Sequence, residues 1–152
     1  MTQKTKRRGL IRGGNLKGKN SYKSTLLYTA VNEGHMELVK WLIAKGCDVN
    51  EKNDDDMTAL HRAIRDNHTE IAKYLISKGA KVNSRNDDGE TPLHYVSDKS
   101  LAELLINNGA DINPQDNYGK TPLYKASEYG RDIEIVETLL ARNEEGYCLL
   151  YL

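Results

Sequence analysis

Apolar residues recur at helical spacing in short segments that polar connections separate. In one pair of segments, Leu60, Ala63 and Ile64 fall on one face of a helix, and residues 71–76 supply the apolar face of a second helix. Gly79 follows as a residue that can adopt positive φ and end that helix. The pattern predicts units of two short amphipathic helices joined by polar turns.

These units return along the chain at a nearly constant interval. The stretch GETPLH, residues 89–94, combines a threonine helix cap with a proline in the first helical turn. Thr25, Thr58 and Thr121 open related stretches. The intervals from Thr25 to Thr58 and from Thr58 to Thr91 are both 33 residues, and the interval from Thr91 to Thr121 is 30 residues. A period of this size predicts stacked units that share one elongated core.

Each helix pair is followed by a short extended triplet. The three triplets are Asp48-Val49-Asn50, Lys81-Val82-Asn83 and Asp111-Ile112-Asn113, each with a β-branched residue in the middle. We expect the middle residue to be buried and the asparagine to bond to the backbone of its own turn.

Together these features closely resemble the ankyrin repeat. The resemblance is carried by the TPLH stretch, by residues 34–39 (GHMELV) and by residues 109–113 (GADIN). It implies an all-α fold, an ankyrin-repeat solenoid of stacked helix–turn–helix units with projecting β-turn fingers. We expect a flexible basic tail over residues 1–20 and an ankyrin repeat domain over residues 21–152. Within it we expect repeats at about 21–53, 54–86, 87–116 and 117–142, then an apolar C-terminal tail, 143–152.

Two repeats depart from the pattern. The third lacks three residues between Ser97 and Leu101, so its first helix should be short, whereas the fourth carries one extra residue near Arg131. After Leu140 the expected Gly-Ala-Asp-Val-Asn turn is missing. An end repeat needs a polar outer face, so either the apolar tail folds over the last helix pair as a cap, or the chain is part of a longer array.

The formal net charge is zero, but the charge is unevenly distributed. Residues 1–20 carry seven basic side chains and no acid, which leaves 15 basic and 22 acidic residues, a net charge of −7, in the remainder. The acidic body disfavours nucleic acid as its partner, whereas the tail could bind nucleic acid or an anionic membrane.

The cysteines and the hydropathy pattern indicate the compartment. Cys47 and Cys148 provide no disulfide framework, and no apolar run approaches the roughly 20 residues of a membrane span. With no secretory leader pattern at the N-terminus, the cytosol or the nucleus is favoured.

No motif predicts catalysis or a bound cofactor or metal. Residues 13–20 nearly match a phosphate-binding loop, but Asn20 replaces the required hydroxyl and no strand precedes the glycines. Carboxylates cluster at residues 54–56 and 87–90, where exposure to water should leave them poor general acids. The four histidines fall on repeat positions, where structural hydrogen bonding is expected; they are His35, His61, His68 and His94.

The resemblance implies that partners bind the finger tips and the exposed side of the first helices. On the fingers, the corresponding positions are Tyr22, Ser24, Asp54, Asp55, Met57, Asp87, Asp88, Glu90, Asn117, Tyr118 and Lys120. On the first helices, they are Asn32, Glu33, Arg65, Asp66, Asp98, Glu128 and Tyr129. The middle fingers are acidic and the end fingers carry tyrosines, which favours a partner protein with a basic segment between apolar anchors.

The leading hypothesis is therefore a non-catalytic protein–protein interaction module with no small-molecule substrate. Two alternatives stay open. The basic tail could tether the repeats to nucleic acid or to a membrane surface. The chain could also self-associate through the apolar residues Leu149, Leu150 and Tyr151.

Overall fold

The computed structural model describes residues 26–148 of the chain, and side chains as far as residue 143. That part contains helices and no strands, so the expected all-α repeat solenoid is confirmed. In chain order the elements are α1 (Leu26–Asn32), α2 (Met36–Ala44), α3 (Ala59–Arg65), α4 (Thr69–Ser77), a 3₁₀ helix (Pro92–Tyr95), α5 (Lys99–Asn107), α6 (Pro122–Glu128) and α7 (Ile133–Cys148).

Helices pack in pairs, and the pairs stack on their neighbours. α1 contacts α2 within its own pair and α3 in the next pair; α3 in turn contacts α4 and the 3₁₀ helix, and α6 continues the row. The core runs through the stack as a column of fully buried leucines, including Leu27, Leu60 and Leu93 at 33-residue intervals. Since each pair buries its apolar face against another pair, the core belongs to the whole array.

The TPLH-type stretches fasten each first helix to the next finger. Thr58 caps α3, and His61 Nδ1 accepts a hydrogen bond from the Thr58 N–H at 3.1 Å. The other ring nitrogen, His61 Nε2, lies 3.1 Å from the carbonyl oxygen of Glu90 in the following repeat. His94 repeats the arrangement, with Nε2 at 3.1 Å from Lys120 O. The structural hydrogen bonding expected of these two histidines is confirmed.

The turn asparagines, in contrast, do not act within their own turns as we expected. Asn83 Nδ2 donates to Gly109 O at 2.9 Å, and Asn83 Oδ1 accepts from Asp111 N at 2.8 Å. Asn50 makes the same pair of bonds, 3.0 and 2.8 Å long, to the turn one repeat later. These side chains therefore bridge successive repeats, because the neighbouring turn lies within reach across the stack.

Two other local expectations are corrected. His68 Nε2 is buried with no hydrogen-bond partner, so hydrogen bonding does not account for both nitrogens of this ring. Burial of the triplet's middle residue holds for Val49, whereas Val82 and Ile112 are only partly buried.

The two irregular repeats differ in opposite ways. The short first helix expected in the third repeat is confirmed as a single 3₁₀ turn, Pro92–Tyr95. At the other end, α7 runs to Cys148, so residues 143–148 extend the last helix rather than forming a separate tail. No turn glycine or proline follows Leu140 until Gly146, which leaves a run of good helix formers to prolong it.

Several sequence-based expectations concern residues outside the described range. These are the basic tail, the phosphate-loop-like segment, and Leu149, Leu150 and Tyr151. Among the described helices, none combines the length and apolar character that crossing a membrane requires.

We predict that acid destabilises the protein through His61. Burial lowers the pKa of His61 to about 4 from an ordinary value of 6.5. The folded state keeps the ring neutral, with Nδ1 free to accept from Thr58 N–H, whereas the unfolded chain takes up a proton below pH 6.5. The His61 contribution to stability has its full value above pH 6.5 and decreases as the pH falls toward 4. The His61 contribution to the free energy of unfolding should fall by about 2 kcal/mol between pH 7.5 and 5.

Urea unfolding at pH 7.5 and at pH 5 measures this contribution when the unchanged chain is compared with two variants. His61→Asn should show a smaller loss on acidification than the unchanged chain. His35→Asn, at an exposed position in the link before α2, should keep the original loss. Equal pH dependence in all three proteins would contradict the assignment to His61.

Candidate functional site

Three described fingers share one internal geometry. They are residues 53–57, 86–90 and 116–120. In each, the backbone N–H of the first residue donates to the carbonyl oxygen of the last, at 2.9, 3.0 and 2.9 Å. The side-chain oxygen of the first residue (Asn, Asn or Asp) accepts from the backbone N–H of the last at 2.8 Å. The first residue therefore acts as a side-chain clamp that closes the turn.

This closure turns two predicted contact residues inward. Met57 and Glu90, the last residues of their fingers, are buried, so their expected place on an exposed binding surface was wrong. Each immediately precedes a helix-capping threonine, and the chain must enter the stack at that point. Met57 Sδ lies 4.0 Å from Tyr28 Oη, and Glu90 meets a lysine described below.

The remaining positions define what we call the finger face. It consists of the three fingers and the exposed sides of the first helices. Its exposed members from the sequence-based set are Glu33, Asp54, Asp55, Arg65, Asp87, Asp88, Asn117, Tyr118, Glu128 and Tyr129. Asp98 is also exposed, but it caps α5, a second helix, by accepting from Leu101 N at 3.2 Å, so its expected place on a first helix was wrong. Asn32, Asp66 and Lys120 are partly buried, and Tyr22 and Ser24 lie outside the described residues.

Backbone hydrogen bonds join neighbouring fingers into one edge. Asp87 N donates to Asp55 O at 3.1 Å, and Asn117 N donates to Asp88 O at 2.9 Å. The approach is close at Gly89, which has φ of +78°, and where an added Cβ would lie 2.5 Å from Asn117 Oδ1. Glycine is required there for both reasons. The fingers therefore hold their acidic tips at fixed spacing.

A groove of about 760 Å³ opens between the third and fourth repeats on this face. Six sequence-predicted residues line it, and the structure adds others that sequence reasoning missed. The predicted ones are Arg65, Asp88, Glu90, Tyr118, Lys120 and Tyr129; the added ones are His94, Tyr95, Ser97, Asp116, Lys125 and Arg131.

The floor of the groove is a buried charge cluster. Lys125 Nζ contacts a carboxylate oxygen of Glu90 and lies 3.7 Å from Asp116 Oδ2, and the side chains are 13%, 7% and 1% exposed. The hydroxyl of Tyr95 donates to the other oxygen of Glu90. Burial raises the pKa of Tyr95, which keeps this donor protonated. One lysine faces two carboxylates, so the groove floor keeps one formal negative charge, and Asp116 Oδ2 has no hydrogen-bond partner among the described residues.

Arg131 forms one wall and connects two repeats. Its Nη1 donates to His94 O at 2.9 Å and also contacts Val96 O, both at the end of the 3₁₀ helix. Its guanidinium lies 5.8 Å from the centre of the Tyr129 ring. Burial lowers the pKa of Arg131, but an arginine stays charged throughout the ordinary pH range. The extra residue near Arg131 was the sequence feature that could have indicated this contact between repeats.

The exposed acids of the finger tips contrast with the groove floor. Asp55, Asp87 and Asp88 form no ion pair with another residue in the described part of the chain. Across residues 26–148, no group of three or more His, Cys, Asp or Glu side chains could hold a metal ion. The arrangement can attract cationic groups by charge and can pack apolar groups against Tyr118 and Tyr129.

Comparison with known proteins gives one positive result. A family model for ankyrin repeats, built of three copies, matches residues 8–86 and again residues 81–148. No curated protein matches the chain.

We predict that Lys125→Met strongly destabilises the protein. The change keeps most of the side-chain stem but leaves Glu90 and Asp116 as uncompensated buried carboxylates, which costs about 3–5 kcal/mol when one partner of a buried pair is removed. Urea unfolding at neutral pH measures the loss.

Lys73→Met is the matched control. Lys73 pairs with Glu70 at 2.9 Å on the surface of α4, where the two side chains are mostly exposed. Its loss should change the free energy of unfolding by less than about 1 kcal/mol. Comparable effects of the two substitutions would show that the cluster is not a tightly coupled buried network.

Proposed function

The chain belongs to the ankyrin repeat family, and on that premise we propose that it binds another protein through its finger face. Ankyrin repeats are generally protein–protein interaction modules. The function proposed is binding without catalysis. The natural occupant of the finger face is an extended or helical segment of the partner.

The observation that carries this proposal is the row of exposed acids on adjacent fingers. Asp55, Asp87 and Asp88 lie on two fingers that a backbone hydrogen bond of 3.1 Å holds together. Because fixed carboxylates at regular spacing attract cations without reorganising, they favour a segment with lysine or arginine residues. Glu90 is left out of this acidic surface, since it is buried against Lys125.

The finger of the fourth repeat, residues 116–120, differs from the other two and indicates where an apolar group of the partner segment would lie. Its tip carries Asn117 and Tyr118 instead of acids, and Tyr118 and Tyr129 are exposed beside the groove. Exposed tyrosines supply large contact areas with little loss of conformational freedom, so they serve as anchors for apolar groups. We infer a partner segment whose basic residues lie over the fingers 53–57 and 86–90 and whose apolar residue lies over the finger 116–120.

We predict that selection from a displayed library of random peptides on the full chain enriches sequences with lysine or arginine followed or preceded by an aromatic or aliphatic residue. For a selected peptide, the double change Asp55→Lys and Asp88→Lys should weaken binding about tenfold at low salt, since two attractive charges become repulsive. Titration calorimetry at two salt concentrations should show a reduced salt dependence for this variant.

The control carries the same charge change away from the finger face. Glu37→Lys and Glu70→Lys alter exposed residues near the starts of α2 and α4 and should leave the affinity nearly unchanged. Equal weakening by both pairs would point to overall charge rather than to the finger tips. Binding that survives Asp55→Lys and Asp88→Lys but disappears without residues 1–20 would assign it to the basic tail.

A further inference from the structure

Two arginines that line the groove have no acidic partner. Among the side chains of residues 26–143, Arg65 and Arg131 form no ion pair, whereas both lysines of the groove do. Arg131 is also partly buried, and that burial lowers its pKa. Because a guanidinium removed from water without a counterion is costly, this position favours an anion from outside the described residues.

Both arginines lie near the same tyrosine, although they belong to different repeats. The Arg65 guanidinium lies 5.9 Å from the centre of the Tyr95 ring. Arg131 donates to the carbonyl oxygens of His94 and Val96, the residues on either side of Tyr95. All three side chains line the groove. We call this part of the groove, formed by Arg65, Tyr95 and Arg131, the arginine end.

Arg131 keeps hydrogen-bond donors available for a ligand. Its two bonds to the backbone both use Nη1, and no described residue accepts from Nε or Nη2. Nε and Nη2 share one edge of the planar guanidinium, and such an edge can bind both oxygens of a carboxylate in parallel. Arg65 is exposed and adds a second positive charge near the same ring. The arginine end can therefore bind a carboxylate by geometry as well as by charge.

The rest of the groove carries the opposite charge. On the floor, one lysine faces two carboxylates, which leaves one formal negative charge, and Asp88 adds another at the rim. Lys120 is neutralised by Glu128, whose carboxylate lies 2.8 Å away. Negative charge is thus concentrated beside the fingers and positive charge at the arginine end. A partner segment that carries basic and acidic residues at separate positions is complementary to this distribution.

We propose that the arginine end binds an aspartate or glutamate side chain of the partner segment. The inference rests on the proposed function, because the same segment places its basic residues over the fingers 53–57 and 86–90. It adds a requirement for specificity, since a purely basic segment leaves Arg131 without a counterion. A singly charged carboxylate fits this position better than a doubly charged phosphate, which the acids of the groove floor would repel more strongly.

The test starts from peptides that a displayed random library yields on the full chain. Enriched peptides should carry aspartate or glutamate at a constant distance from their lysine or arginine. In one such peptide, replacing the acid by its amide should weaken binding to the unchanged chain about tenfold. Arg65→Gln should reduce that difference to about threefold, since one of two cations is lost. Arg131→Lys keeps the charge but removes the planar edge, so it should reduce the difference as well.

Lys78→Gln is the matched control. Lys78 is exposed at the end of α4 and lies 5.3 Å from the centre of the Tyr74 ring, an arrangement like that of Arg65 but outside the groove. It should leave the tenfold difference intact, and an equal reduction by Lys78→Gln would overturn the inference. Peptides enriched in basic residues but not in acids would overturn the arginine end alone and leave the finger face standing. A library that enriches no basic residues would remove the proposed function and this inference with it.

Discussion

The structure depends on one constraint: a single helix pair is too small to bury its own apolar face. Each pair completes its core only against its neighbours, as the column from Leu27 through Leu60 to Leu93 shows. Polar contacts follow the same rule. His61 reaches a carbonyl of the next finger, and Asn83 bonds to the next turn. Both kinds of contact join adjacent repeats, so stability depends on the interfaces as much as on the units.

The periodic part of this structure could be predicted from the sequence, because helix caps, apolar spacing and the 33-residue interval are local patterns. The contacts between repeats could not. Asn83 fits a turn equally well whether it bonds within that turn or across to the next one. Glu90 occupies a finger and is charged, two properties that favour exposure. Only the packed stack reveals that Lys125, 35 positions later in the chain, lies against it.

The two irregular repeats compensate for each other. The third repeat lost residues from its interhelical link, and its first helix is reduced to the 3₁₀ turn, which leaves carbonyls without partners in the helix. The fourth repeat gained a residue at the same place, and Arg131 donates from there to His94 O and Val96 O. An unpaired buried carbonyl is costly, so the arginine restores what the shortened helix lacks. The deletion and the insertion are best understood as one feature.

Within each finger, different residues serve the fold and the exposed surface. The first and last residues of each finger are committed to the fold: Asn86 closes its turn, and Glu90 joins the buried cluster. Among the residues between them, Asn117 also donates from its side chain to Asp87 O, whereas Asp87 and Asp88 join neighbouring fingers through backbone atoms alone. Their side chains can therefore change without disturbing the stack. A scaffold with fixed finger roots and replaceable tips can acquire a new partner by surface substitution, which is why shared architecture in this family does not determine the ligand.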